Sequence, residues 1–286
     1  MNYSGIKIFV ITFLLVLMGF QLCAQVGGYI PKRPDVFPRS SQYATSGWYF
    51  TPGITHTFGF ANSERMNLGG DTIRVQHEKP LGHTGAFVQL GRFHTLKSRW
   101  INFVDYGLDV RWLRGLHTRE TELRTDAENP EWLTQNGAGH FNDLWIGATV
   151  NASFARHITN TVFVSHSLGV NANYAAVRDL AFSGPYDPLA DGDPPVFNAQ
   201  LHYKLGVGFK LGRGWYLMPT IETPIFGIFA WNDAIPSLKY LNTYYQPILV
   251  GIQIMRLDRG KPEDCPTEGP GGKRKKNTSL WDKKMY

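Results

Sequence analysis

Three side chains near the middle of the chain have the chemistry of catalytic or metal-binding groups: His117, His140 and Asp143. An imidazole beside a carboxylate is a common pairing in general-base catalysis, and both groups also bind zinc. Their spacing, however, matches no specific ligand motif. The chain also has no HExxH, GxSxG or CxxC sequence and no phosphate-binding glycine loop before a helix. The sequence therefore predicts no catalytic residue, no metal site and no cofactor.

A second group with possible chemistry is the tripeptide Ser165-His166-Ser167. A base must come within about 3 Å of the hydroxyl that it activates. If this segment is a β-strand, adjacent residues point to opposite faces. His166 is then expected on the face opposite both serines, so contact between the serines and this histidine is poor.

The elements that position these residues follow a period of two. Between Asn198 and Leu211, one parity is almost entirely apolar and the other is polar or glycine, with His202, Lys204 and Lys210 among its members. Such alternation is typical of a strand with two different faces. It predicts eight strands, at about Trp48–Phe60, His83–Phe93, Ile101–Leu113, Phe141–Arg156, Thr161–Ala176, Asn198–Leu211, Trp215–Phe226 and Thr243–Leu257.

The connections between these strands alternate in length. The long ones are Ala61–Gly82, Arg114–His140, Val177–Phe197 and Gly227–Asn242, and the short ones are His94–Trp100, His157–Asn160 and Gly212–Gly214. Long outer loops and tight periplasmic turns are typical of outer-membrane barrels. The chain is also rich in aromatic residues (Trp 8, Tyr 13, Phe 18), which form girdles at both membrane interfaces of such barrels. The predicted fold class is an all-β, transmembrane, antiparallel up-and-down β-barrel.

This arrangement resembles the small eight-stranded outer-membrane barrels, such as the OmpA membrane domain, OmpX, OmpW and PagP. The resemblance covers about Trp48–Leu257 and is architectural, with no motif that assigns a subfamily. Where such barrels carry an assembly signal in the last strand, the matching region here is Val250–Arg256. That region departs from the family pattern because it lacks the usual terminal aromatic residue.

The predicted barrel covers residues 48–257, and three further segments lie before and after it in the sequence. Residues 1–24 have the features of a secretory signal, with Lys7 followed by the apolar run Ile8–Phe20. Residues 25–47 are expected to be an irregular periplasmic segment, and residues 258–286 a flexible, disordered basic tail. An even number of strands places both termini in the periplasm of a Gram-negative bacterium.

Propagating the alternation along the strands places a set of charged side chains inside the barrel. An eight-stranded barrel is just wide enough for side chains to fill its interior. Because unpaired buried charges are very costly, these groups are expected to pair and plug the lumen. The predicted charge network consists of Asp105, Asp109, Arg111, Asp143, Lys204, Lys210 and Glu222.

The function predicted from these features is non-enzymatic and structural, with the periplasmic tail docking an envelope partner. That partner is a periplasmic or outer-membrane protein complex or peptidoglycan, not nucleic acid, and the barrel itself contacts outer-membrane lipid. The docking residues are Lys273, Arg274, Lys275, Lys276, Leu280, Trp281 and Tyr286.

Three alternatives remain open on the sequence alone. The first is binding or passage of a small apolar molecule through a lateral opening, which the strand prolines Pro219 and Pro224 would mark. A cavity lined by Phe87, Trp145 and Tyr216 would support it. The second is a lipid-modifying enzyme that uses His140 and Asp143. The third is a surface adhesin that acts through its outer loops.

Overall fold

The computed structural model describes residues 36–37, 43–69, 72–96, 98, 100–124, 132–184, 195–212, 214–228, 237–240 and 243–259. Within these ranges the chain forms one antiparallel sheet of eleven strands. The strands are β1 (Tyr43–Phe60), β2 (Asn62–Gly69), β3 (Thr72–Gly82), β4 (Thr84–Thr95), β5 (Phe103–Arg124), β6 (Trp132–His157), β7 (Val162–Ser183), β8 (Phe197–Gly212), β9 (Trp215–Gly227), β10 (Leu238–Tyr240) and β11 (Thr243–Arg259). The predicted all-β, antiparallel architecture is confirmed.

The sheet closes on itself. The order of hydrogen-bonded neighbours is β5-β4-β1-β11-β9-β8-β7-β6, and β6 pairs in turn with β5. The first and last long strands, β1 and β11, pair antiparallel from Tyr43↔Arg259 to Phe60↔Tyr244. Closure of this kind leaves the strands of the ring with no free edge.

The start of β1 and the end of β11 lie at the same end of the cylinder, where Tyr43 pairs with Arg259. We call this the lower end. It also holds the short connections between β4 and β5, β6 and β7, and β8 and β9. In the last of these turns Gly212 and Gly214 have φ values of 88° and 78°, a conformation that favours glycine.

At the opposite, upper end, two of the segments predicted as loops are mostly strand. Ala61–Gly82 contains β2 and β3, and much of Arg114–His140 belongs to the upper parts of β5 and β6. Strand β3 pairs with β5 from Gly82↔Gly115 to Ile73↔Arg124. We call β2, β3 and residues 115–124 and 132–139 the upper extension. Sequence alternation missed it because both faces of this sheet carry many polar residues, so hydrophobic period-two contrast is weak.

Smaller differences concern the other predicted boundaries. Strand β1 begins at Tyr43, inside the segment 25–47 that was predicted to be irregular, and β11 continues to Arg259. Strand β7 extends to Ser183, and the predicted loop Gly227–Asn242 contains β10. Residues 1–24 lie outside the described residues. In the part of the chain that the structure describes, no helix is long and apolar enough to cross a membrane.

The outer and inner faces of the barrel differ in the way that the alternation predicts. On β5 the outward side chains Tyr106, Leu108, Val110 and Trp112 are 44, 66, 42 and 40% exposed. The alternate side chains Asp105, Asp109 and Arg111 are at most 5% exposed. A water-soluble barrel or sandwich would show the reverse arrangement, with apolar side chains in the centre.

Pro224 lies where the strand pairing is irregular, whereas Pro219 pairs in regular register with Ile252 of β11. Between β8 and β9 the register shifts at Leu201 and His202, opposite Phe226 and Pro224. Between β9 and β11 the paired residues end at Glu222↔Leu249. Above this point the Gln246 side chain donates hydrogen bonds to Thr223 Oγ1 and the Pro224 carbonyl, both at 3.1 Å. A side-chain bridge therefore links these two strands where backbone pairing ends.

Candidate functional site in the barrel interior

The middle of the lumen is occupied by a polar layer. We define the middle polar layer as the inward side chains Asp105, Asp109, Arg111, Asn151, His202, Lys204 and Glu222, each at most 6% exposed. They come from four strands, β5, β6, β8 and β9. Their alternation along each strand aims them at the axis of the barrel, where water is largely excluded.

Arg111 is the central cation of this layer. Its Nε and Nη2 atoms donate to the two carboxylate oxygens of Asp109, each at 2.9 Å. The same guanidinium reaches Glu222 Oε1 across the lumen at 3.4 Å. Arginine suits this position because its planar donors bind carboxylates at fixed geometry. One side chain thus joins β5 to β9 through the interior.

A second chain of contacts surrounds Asp105. Its Oδ1 accepts from Asn151 Nδ2 at 2.6 Å and from Lys204 Nζ at 3.5 Å. Because the Asn151 amide nitrogen faces Asp105, its oxygen faces His202 Nε2 at 2.6 Å, and the imidazole nitrogen is therefore the donor. His202 Nε2 is also 3.8 Å from Glu222 Oε1. The two chains of contacts meet at this carboxylate.

Glycine in the wall allows this close packing. A Cβ atom at Gly169 would overlap the Asn151 and His202 side chains. Any other residue at this inward position would displace the amide–imidazole pair.

Below the polar layer the lumen is closed by hydrophobic and aromatic side chains. We call this set the lower aromatic layer; its members are Val36, Phe37, Tyr49, Phe93, Phe103, Ala155, Phe163, Tyr216, Met218, Met255 and Leu257. Two of them, Val36 and Phe37, precede β1 and belong to no strand of the ring. The sequence predicted residues 25–47 as an irregular lead-in and did not place any of them in the lumen.

Above the polar layer lies a second apolar set, the upper aromatic layer, formed by Leu113, Phe141, Trp145, Ala175, Leu238, Tyr240 and Tyr245. Tyr240 comes from β10 and stacks on Phe141 with ring centroids 3.9 Å apart. Its hydroxyl donates to Asp143 Oδ2 at 2.7 Å and accepts from Trp145 Nε1 at 3.2 Å. The residues between β9 and β11 thus contribute a side chain that closes the lumen from above.

A separate charged cluster lies in the upper extension. Glu78 of β3 forms ion pairs with His117 and Arg119 of β5, and all three are at most 3% exposed. His117 Nδ1 is 3.0 Å from Thr243 Oγ1. Burial alone would raise the pKa of the Glu78 carboxyl, but hydrogen bonds from His117 and Arg119 and their charges bring that pKa below its usual value of 4.5.

This lowered pKa predicts an acid-sensitive contribution to stability. The folded state holds the Glu78 proton more weakly than the unfolded state, so the stabilisation is fully present above the unfolded pKa and is lost as the pH falls through the folded pKa. Thermal unfolding of wild type and of Glu78→Gln, followed from about pH 7 to about pH 2, should show a smaller decrease of Tm in the variant.

The matched control for this prediction is Glu120→Gln, which removes an exposed carboxylate paired with Lys79 at 2.7 Å. Exposed ion pairs contribute little to stability, so this variant should follow the wild-type pH dependence closely. Equal pH dependence of Tm in wild type and Glu78→Gln would contradict the role given to Glu78.

The predicted charge network is divided by the structure. Asp105, Asp109, Arg111, Lys204 and Glu222 lie in the middle polar layer. Asp143 lies beside the upper aromatic layer, where it accepts a hydrogen bond from Tyr240 and has Arg178 Nε at 3.7 Å. Lys210 is half-buried at the lower end, with its Nζ 3.5 Å from His157 Nε2. The predicted docking residues Lys273, Arg274, Lys275, Lys276, Leu280, Trp281 and Tyr286 lie outside the described residues.

The three residues considered for catalysis are not brought together. His117 is buried beside Glu78, His140 is exposed on the outer face of β6, and Asp143 points into the lumen. His166 does not contact Ser165 or Ser167 in a catalytic arrangement; its Nδ1 is 2.5 Å from the hydroxyl of Tyr203 on the neighbouring strand. In the ranges that the structure describes, no group of three or more His, Cys, Asp or Glu side chains could hold a metal ion.

The sequence reasoning placed His202 inward, but it missed several other residues that make the contacts above: Phe37, Glu78, Arg119, Arg178, Tyr240 and Thr243. Phe37 carried a usable signal, because Val36 and Phe37 form an apolar pair in a proline-rich, polar segment. Tyr240 carried none, since β10 has only three residues and shows no alternation.

Comparison with known proteins gives structural similarities only. No protein-family model matches the chain, and no curated protein matches it in sequence. Among solved structures, the chain is similar to the outer membrane protein OprG of Pseudomonas aeruginosa (11% identity, 76% of this chain and 96% of that chain covered, TM-score 0.30). It is also similar to Ail, the attachment invasion locus protein of Yersinia pestis (9% identity, 74% and 99% covered, TM-score 0.26, in complex with a heparin analogue). Both are small outer-membrane β-barrel proteins, the class that the sequence resembles.

Proposed function

We propose that this protein is an outer-membrane β-barrel with a filled, non-catalytic interior, which acts as a membrane anchor and scaffold for another envelope component. The observation that carries the proposal is the orientation of side chains along the barrel strands. A belt of large apolar side chains faces outward, while ionised side chains fill the centre. Soluble monomers rarely expose a contiguous apolar surface of this extent, whereas a lipid-facing barrel requires one.

The residues at the borders of the belt support a membrane setting. At the lower border Trp48 and Trp215 pack edge to face with centroids 5.8 Å apart, and the Arg256 guanidinium lies 5.0 Å from the Trp215 ring centre. At the upper border Arg114 lies 4.9 Å from the Trp112 ring centre. Aromatic rings and long cationic side chains are favoured where hydrocarbon meets headgroups.

The filled lumen favours an anchor over a route for a small molecule. Phe87, Trp145 and Tyr216 were the side chains expected to line a ligand cavity. All three are buried, but Trp145 is packed in the upper aromatic layer and Tyr216 in the lower one, with the middle polar layer between them. Among the described residues, the side chains expected to line one cavity are thus divided between two packed layers, which supports the anchor role.

The arrangement around His117 favours a structural role over catalysis. Thr243, His117 and Glu78 are linked in the order hydroxyl, imidazole and carboxylate, which is the order of a catalytic triad. However, Thr243 is 0% exposed, and Glu78 also forms an ion pair with Arg119. A hydroxyl without access to substrate cannot act as a nucleophile. The cluster instead connects β3, β5 and β11 in the upper extension.

The position of the chain ends suggests where the partner binds. Strand β1 begins and strand β11 ends at the lower end, which also has the short turns. We assign this end to the periplasm. The basic residues that follow Arg259 in the sequence are then periplasmic. A basic sequence with aromatic residues suits an acidic protein surface or peptidoglycan, because charge speeds the encounter and aromatic side chains dominate contact energies.

Truncation after Arg259 tests the docking role. Asp258 must be kept, because it pairs with Arg92 at 2.6 Å and accepts from Ser46 at 3.2 Å. The truncated barrel should retain its heat-modifiable mobility on gels. In crosslinked envelopes it should lose the partner that the full chain retains, and it should no longer sediment with purified peptidoglycan if that is the ligand.

Two tail variants refine this experiment. Replacing Lys273, Arg274, Lys275 and Lys276 with alanine should weaken capture and its salt dependence, since exposed charges act over about 8 Å at physiological salt. Replacing Leu280 and Trp281 with serine should weaken capture at any salt concentration. Retention of the same partner by the truncated barrel would rule out docking through the tail and leave the membrane assignment untouched.

A further inference from the structure

The lower mouth of the barrel is closed by a side chain that does not belong to the wall. The Phe37 ring lies 5.8, 5.4, 6.4 and 5.0 Å, centre to centre, from the rings of Phe93, Phe103, Phe163 and Tyr216. These four rings come from β4, β5, β7 and β9, which are distributed around the ring of strands. A side chain that touches all four must lie close to the axis of the barrel.

Phe37 separates the middle polar layer from the lower end. Phe93, Phe103 and Phe163 are 0% exposed and Tyr216 is 3% exposed while Phe37, itself 6% exposed, lies among them. On β6 the next inward residue above Ala155 of the lower aromatic layer is Ser153, which is fully buried and 2.7 Å from Ser167. Asp105 is the next inward residue above Phe103. Without the Phe37 ring, the space between the four rings would admit water toward these polar groups.

The wall of the barrel does not depend on this side chain. The closing pair of strands begins at Tyr43↔Arg259, six residues after Phe37 along the chain. The ladder of each ring strand is complete without Val36 and Phe37. Removal of the Phe37 ring therefore leaves every strand pairing of the ring in place.

We propose that Phe37 is an intramolecular stopper of the lumen: its ring closes the lower mouth, and removal of this ring opens the middle polar layer to water while the closed ring of strands stays intact. The proposal is independent of the tail and of the partner that the tail binds.

The test measures access to the interior from the lower end. Cys23 and Cys265 are the only cysteines of the chain. In a Cys23→Ser, Cys265→Ser background, Ser153→Cys introduces one thiol at the upper edge of the lower aromatic layer, next to Phe103, with which residue 153 pairs across β5 and β6. With Phe37 present, this thiol should react slowly with a charged methanethiosulfonate reagent in detergent micelles. Phe37→Ala should raise the reaction rate by about tenfold or more, because it removes the ring that fills the space between the four aromatic rings of the wall.

Three controls make the result decisive. Phe58→Ala makes the same chemical change on the outer face, where Phe58 is 47% exposed, and should leave the rate unchanged. Ala175→Cys places the reporter thiol in the upper aromatic layer instead, where Phe37→Ala should not affect its rate. Phe37→Leu retains an apolar side chain and should give an intermediate rate; it also decides the question if the alanine variant does not fold.

Two results would overturn the stopper. One is an unchanged rate at position 153 in a Phe37 variant whose barrel keeps its heat-modifiable mobility. The other is an equal acceleration at positions 153 and 175, which would show that the whole barrel has loosened rather than that one mouth has opened.

Discussion

Replacing Arg111 with methionine should destabilise the barrel by about 3–5 kcal/mol, because it leaves buried carboxylates without their cation. Arg111 binds both oxygens of Asp109 at 2.9 Å and reaches Glu222 at 3.4 Å, and all three side chains are almost fully buried. Methionine has a similar length and no charge. The loss is therefore electrostatic rather than a loss of packing volume.

The measurement is equilibrium unfolding in detergent micelles by a denaturant, followed by tryptophan fluorescence. Arg114→Met is the matched control, since Arg114 lies on the same strand but faces outward against Trp112. It should cost no more than about 1 kcal/mol. The triple variant Arg111→Met, Asp109→Asn, Glu222→Gln should recover part of the lost stability, because it removes the uncompensated charges as well. Equal losses for Arg111→Met and Arg114→Met would show that the polar layer is hydrated and does not hold the barrel together.

Replacing Leu108 with arginine should destabilise the protein in a bilayer by about 2–4 kcal/mol, because the side chain sits in the middle of the outward apolar belt. Leu108 is 66% exposed, so in a water-soluble protein the same change would alter stability by about 0.5 kcal/mol or less. The loss of unfolding free energy caused by Leu108→Arg is thus expected to be large for a membrane barrel and small for a water-soluble protein, so this measurement distinguishes the two.

Asn136→Arg is the matched control for Leu108→Arg. Asn136 is exposed on β6 in the upper extension, beyond the belt, and a charge there should be tolerated. Both variants are refolded into lipid vesicles, and their unfolding free energies are compared with wild type. If Leu108→Arg and Asn136→Arg are equally harmless, and the wild-type protein is found in the aqueous fraction without detergent, the outer-membrane assignment is wrong.

Within the outward apolar belt, the sequence alone predicts which side chains point inward. There, lipid on one side and a packed interior on the other impose opposite requirements on neighbouring residues, so a period of two is visible in strands such as β5 and β8. The alternation disappears in the upper extension, where polar side chains occupy much of both faces. That is why Ala61–Gly82 was predicted as a loop although it contains β2 and β3.

The partners within the interior could not be read in the same way. Arg111 and Glu222 are 111 positions apart, and Tyr240 and Asp143 are 97 apart. Alternation states only that each of these side chains points inward. It does not state at what height on the axis each one lies, which depends on strand register and tilt. The predicted single charge network is therefore distributed over separate levels in the structure.

The sequence by itself determined that the strands have an apolar and a polar face and that long connections lie at one end, because these properties are local and repeat every two residues. Only the tertiary structure decided how the polar face is neutralised and how the lumen is closed. Those outcomes depend on side chains brought together from distant positions, including Phe37 and Tyr240 from outside the main barrel strands, and the free energy of such contacts exists only after the ring of strands has formed.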